Sequence, residues 1–296
     1  MQLEFDPADM LDPAGVGAVG AHGRPSRPAR LSPSGAATFE QCPRRWRFRY
    51  VDRLPDPPGE DALVGTFAHR VLELLMMRAP ARRSKEDAKR IARAVWPEVA
   101  EDDDYRELEL SDDEARAFRW RAWQAIEGLW RLEDPAQVEV EATEEQVSVV
   151  LGDVPFRGVV DRLEREADGL VVSDYKSGRA PTARYAPARL RQVLLYAAAI
   201  AEETGEQPVR AQLLYLGQKT VATASTPDET GGVVEQLKST WDAIADACEV
   251  DDFAARPGPL CGYCSYAEHC PEGRAENLRR EESRAAEDEY LMRLAG

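Results

Sequence analysis

The chain has 296 residues, 43% of them hydrophobic, enough to bury a core and to exclude wholesale disorder. Its formal net charge of −16 argues against a protein that simply wraps nucleic acid, and no apolar run is long enough to span a bilayer. Residues 24–53 nevertheless hold eight Arg against Glu40 and Asp52, so a phosphate-binding face can coexist with an acidic stretch such as 101–114. No basic head precedes an apolar stretch at the N-terminus, and a cytoplasmic protein with no membrane partner is expected.

Residues 1–30, rich in Gly, Pro and Ala, read as a flexible leader. Ser32 followed by Pro33 is a helix start signal, and the helix should run toward Cys42. A basic aromatic stretch, Arg44 to Tyr50, comes next, and Pro55, Pro57, Pro58 and Gly59 break the chain. Asp61 to Met77 places Leu63, Phe67, Val71, Leu74 and Leu75 on one helical face. Ser84 to Asp87 and Ser111 to Glu114 fit capping patterns that open two more helices, so 61–132 is a helical insertion.

Beyond it the texture turns β-branched. Residues 138–150, 154–163 and 170–175 predict three antiparallel strands, with turns at Gly152-Asp153 and Asp168-Gly169. A helix over 186–203, a strand over 209–216, a hairpin partner over 219–224 and a helix over 227–248 complete a core at 136–248. A cysteine-rich region at 256–271 and a polar helical tail at 272–296 follow.

Three side chains in the strands carry chemistry. Asp161 closes one strand, and Asp174 and Lys176 lie two apart on the next, where alternate residues share a face. Two carboxylates suit Mg²⁺ or Mn²⁺, and an ammonium beside them can orient a water. That is equipment for metal-assisted phosphodiester hydrolysis.

The motifs occur as an ordered set: Gly65-Thr66-Phe67-Ala68-His69, Gly158-Val159-Val160-Asp161, Asp174-Tyr175-Lys176-Ser177-Gly178 and Gln192-Val193-Leu194-Leu195-Tyr196. This set resembles the RecB-like branch of the PD-(D/E)XK nucleases, with Val160 where the name-giving Pro would stand. The resemblance implies an α/β fold of the restriction-endonuclease kind, a central mixed sheet flanked by helices, in a single domain over 31–271. It implies that Asp161, Asp174, the backbone carbonyl of Tyr175 and His69 hold one or two Mg²⁺ or Mn²⁺ ions. Lys176 would position water and stabilise charge on the phosphate. Gln192 and Tyr196, one helical turn apart, would place substrate and lysine, and Glu141 would sit at the edge of the site.

Five cysteines occur, at 42, 248, 261, 264 and 270. The last three are spaced for a thiolate site, and a cytosolic setting disfavours disulfides. The spacing leaves zinc open, with His269 as a further ligand. Cys248, on a predicted helix, reads as a small buried residue. Cys42 together with Cys261, Cys264 and Cys270 resembles the four-cysteine set of AddB-type and CRISPR-associated RecB-like nucleases, which implies a [4Fe–4S] cluster stapling the two ends of the domain.

The expected activity is a metal-dependent DNA nuclease, an exonuclease on single-stranded ends in repair or recombination. The alternatives are a CRISPR-associated spacer-processing nuclease and a non-catalytic DNA-binding scaffold of the same fold. Arg44, Arg45, Arg47 and Arg49 are the expected DNA contacts. No G-x4-G-K-[ST] stretch is present, so any motor would be a separate helicase partner.

Overall fold

A computed structural model describes residues 25–182, 186–218 and 220–295. The expected leader lies almost wholly outside the described residues. Ser32 caps α1 (Pro33–Gln41), accepting the Gly35 N–H at 3.1 Å. Cys42 is extended, which ends α1, and Pro43 restarts the chain as α2 (Pro43–Trp46), continued by a wider π turn over Arg47–Val51.

The helical block comprises α3 (Glu60–Met76), α4 (Lys85–Glu101), α5 (Asp103–Arg106) and α6 (Asp112–Leu132). At α6 the capping box is complete, Ser111 and Glu114 each satisfying the other's backbone N–H. Val64, Phe67, Ala68, Val71, Leu72 and Leu75 of α3 pack with Phe118, Ala122, Ile126 and Leu129 of α6, and with Tyr175, Leu214 and Leu216 from the sheet. Residues 61–132 therefore cover one sheet face.

Five strands form one mixed sheet in the order β1 (Val140–Leu151), β2 (Val154–Glu166), β3 (Gly169–Lys176), β4 (Arg210–Tyr215), β5 (Thr220–Ser225). All neighbours are antiparallel except β3 and β4, which are parallel and joined by α7 (Ala186–Thr204), as a parallel pair requires. The Gly152-Asp153 turn has both residues at positive φ, +52° and +68°, the conformation of a two-residue hairpin. On the second face, α7 and α8 (Thr226–Val250) pack through Val193, Tyr196, Ile200, Leu237, Trp241 and Ile244. Cys248 belongs to this core, and burial pushes its thiol up to about 11. α9 (Pro271–Ala295) closes the chain. Among the described residues, no helix is long and apolar enough to cross a membrane.

Candidate active site

The site lies where β2 and β3 part. Their pairing runs from Glu166↔Gly169 to Arg162↔Ser173 and goes no further. Asp161 and Asp174 are the first residues past the last pair, and the gap is bridged by a side chain: Asp161 Oδ2 accepts the Tyr175 N–H at 2.7 Å. A carboxylate here thus replaces a ladder bond, which fixes its orientation. Both aspartates are buried, as is Lys176.

Lys176 Nζ stands 2.8 Å from Asp174 Oδ2 and donates to Gln192 Oε1 at 3.1 Å. Gln192 Nε2 donates to the Tyr196 hydroxyl at 3.1 Å, so the α7 pair acts as one support for the lysine. Gly158 explains how Tyr196 fits: a Cβ there would lie 2.5 Å from the Tyr196 ring. Gly65 does the same for α3, where a Cβ would meet the Ser177 hydroxyl at 2.9 Å. That approach brings His69 Nδ1 to 3.4 Å from Asp161 Oδ2, with its ring edge-on to Tyr175 at 5.8 Å.

The structure adds Glu144 and removes Glu141. His69, Glu144 and Asp161 each offer a ligand atom within 4.8 Å of the others. Glu144 faces Asp161 in the β1–β2 register, between the pairs Thr143↔Arg162 and Glu145↔Val160, and its φ of +50° is one that side chains rarely adopt. Burial, then the charges of Asp161, Glu73 and Asp174, push its carboxyl up to about 8. Glu141, by contrast, pairs with Arg165 at 2.8 Å on the surface, in the β-bulge between Val140 and Ala142. The Gly152-Asp153 hairpin was the signal for this: counting back seven residues on each strand from Leu151↔Val154 sets Glu144 opposite Asp161.

Imidazole nitrogen and carboxylate oxygens suit a divalent cation, and a carboxyl whose proton is favoured by burial and by its negative neighbours is one a cation would deprotonate. Behind the site, fully buried Arg162 donates to Glu133, Glu164 and the Tyr175 hydroxyl, locking the residue between Asp174 and Lys176.

The family model of the PD-(D/E)XK nuclease superfamily matches residues 30–271. The chain belongs to the PD-(D/E)XK nuclease superfamily. Its members are metal-dependent nucleases, and the nuclease fold implies DNA as substrate. No curated protein matches the chain. Among solved structures, the crystal structure of SSO0001 is similar at 16% identity with a TM-score of 0.35, covering 71% of this chain and 94% of that one.

A second group of side chains lies at the joint of the chain's two ends. Cys42, Cys261, Cys264 and Cys270 line one cavity, together with Arg44, Arg45, Phe48 and Arg256. His269 is exposed and is not among the cavity's lining residues. Gly258 N–H points to Cys261 Sγ at 3.4 Å and Gly273 N–H to Cys270 Sγ at 3.3 Å.

The four arginines expected to meet DNA are held by the protein itself. Arg44 Nε donates to the Phe253 carbonyl at 2.8 Å, Arg47 pairs with Asp251 at 2.7 Å and Asp52 at 3.4 Å, and Arg49 pairs with Asp56 at 3.3 Å. Arg45 is buried. The run's aromatics turn inward too: Trp46 stacks on Phe253 at 5.8 Å.

Proposed function

We propose that the protein is a Mg²⁺- or Mn²⁺-dependent exonuclease that degrades single-stranded DNA from an end. The observation that carries the nuclease half is the convergence of His69, Glu144, Asp161, Asp174 and Lys176 where two strands part. His69, Glu144, Asp161, Asp174 and the Tyr175 carbonyl would hold the ion. When bound, a divalent ion supplies Lewis-acid activation of the phosphate and of water. Lys176, steadied by Gln192, directs its ammonium toward charge that builds on the phosphate oxygens. A P–O bond forms to water as the ester P–O bond breaks, and the leaving oxygen takes up a proton. A scaffold has no use for Asp161, Asp174 and Lys176 held together in this way.

The exonuclease half rests on the resemblance of the ordered motifs to RecB-like exonucleases. It is tested with end-labelled single and double strands in Mn²⁺, with and without a blocked 5′ end. Mononucleotide or short products from free single-stranded ends are expected. Equal cleavage of closed circular DNA would overturn it.

The same proposal assigns the four cysteines to an iron–sulfur cluster. The shared cavity and the two backbone N–H groups aimed at sulfur support a thiolate-bound group. A single zinc ion draws its sulfurs to ~2.3 Å from itself and so close to one another. The metal content of the purified protein decides between the two. Anaerobic protein should carry iron and sulfide; zinc in a colourless protein would overturn this assignment and leave the nuclease site untouched.

A further inference from the structure

Arg45 lines the thiol cavity and is 8% exposed. A guanidinium at that depth needs compensation. Its NH1 donates to Gln41 Oε1 at 3.2 Å. Its NH2 is 3.9 Å from Asp56, too far for a hydrogen bond. Asp56 is already shared with Arg49 and with the Ser265 hydroxyl. The Arg45 Nε–H is buried with no hydrogen-bond partner at all. An orphaned donor and a poorly balanced cation thus stand beside four sulfurs.

Four neutral thiols would leave Arg45 with only the distant, shared Asp56 carboxylate to balance its charge. Four thiolates around an iron–sulfur core carry the negative charge and the sulfur acceptors that it lacks.

We propose that the buried Nε–H of Arg45 donates to a sulfur of the iron–sulfur group held by Cys42, Cys261, Cys264 and Cys270, and that its guanidinium offsets the group's negative charge. The inference rests on the iron–sulfur reading given above. It gives Arg45 a role in place of the DNA contact that its burial forbids. A fixed positive charge favours the more negative, reduced state of a redox group, and does so strongly where water is excluded.

The test uses the full chain purified without oxygen, as wild type, Arg45→Gln, Arg45→Lys and Gln41→Ala. Iron and sulfide content, midpoint potential by redox titration and bleaching rate in air are measured. Arg45→Gln should move the potential to more negative values and bleach several-fold faster. Arg45→Lys, which keeps the charge, should recover most of the potential. Gln41→Ala, which removes only the NH1 contact, should match wild type.

A brown wild type with an unmoved potential and bleaching rate in Arg45→Gln overturns this proposal alone. A colourless, iron-free wild type overturns the iron–sulfur reading and this proposal with it. Should Arg45→Gln lose the group during purification, Arg45→Lys decides. Retention by lysine supports the charge argument, and equal loss in both overturns it.

Discussion

Lys176 and Asp174 are one unit at 2.8 Å, yet their removal should act differently. Asp174→Ala takes away a metal ligand and should abolish cleavage. Lys176→Ala takes away a charge-stabilising donor and should lower the single-turnover rate roughly 100- to 1000-fold, with DNA binding kept. Undiminished cleavage by either variant would remove the site assignment. Glu144 sets the pH response of the metal-free protein. Its carboxyl titrates near 4.5 unperturbed and at about 8 in the fold, so between those values the folded state keeps a proton that the unfolded state releases. The contribution is full below about 4.5 and lost as pH rises through about 8. Metal-free wild type should therefore lose stability across that window relative to Glu144→Gln. Mn²⁺, which replaces the proton, should flatten the difference in thermal melts followed from pH 5 to 9.

At the scale of elements, glycines record how closely the layers approach. Gly128 of α6 lies against the end of β4, where a Cβ would fall 1.8 Å from the Leu216 carbonyl oxygen. Gly158 of β2 lies under Tyr196 of α7. Gly158→Ala should push the Tyr196 ring away, costing about 1–3 kcal/mol of stability, and release Gln192 from Lys176. Thermal melting checks the first effect. A rate loss that exceeds the loss of folded protein checks the second, and an unchanged specific rate would separate Tyr196 from the lysine's support. The strands and helices were legible in the sequence because periodicity and the Gly152-Asp153 turn mark them. So was the nearness of Asp161, Asp174 and Lys176, because Asp174 and Lys176 are two apart on one strand and share a face, and the hairpin brings Asp161 beside them. Glu144 was harder. Its three neighbouring acids, Glu139, Glu141 and Glu145, carry the same chemistry, and only the register counted from the hairpin separates them. The arginines of 44–49 were less legible for another reason: a run of charge shows no partner, and those of Arg44 and Arg47 include Phe253 and Asp251, some two hundred residues away, while Arg45 turns into the protein.

Those distant partners bear on the whole molecule. Residues 33–51 and 251–270 are joined by side-chain contacts of their own: Arg44 to the Phe253 carbonyl, Arg47 to Asp251, Trp46 on Phe253, Phe48 against Tyr266, and Arg256 to the Glu40 carbonyl. The thiol cavity lies within this joint, so a bound group would tighten a contact that already exists. Cys42→Ser and Cys264→Ser should therefore lose iron equally, although the two positions are more than two hundred residues apart, because four ligands close one site. Both should melt at a lower temperature than wild type, since metal-binding energy is folding energy, but both should still fold, held by the aromatic and arginine contacts. Cys248→Ser tests the assignment from the other side. Its thiol lies in the sheet–helix core, away from the cavity, so iron content should stay at the wild-type level while stability falls modestly. Iron retained in Cys42→Ser and lost in Cys248→Ser would reverse the assignment of the fourth ligand, because it would place the metal in the core rather than at the joint.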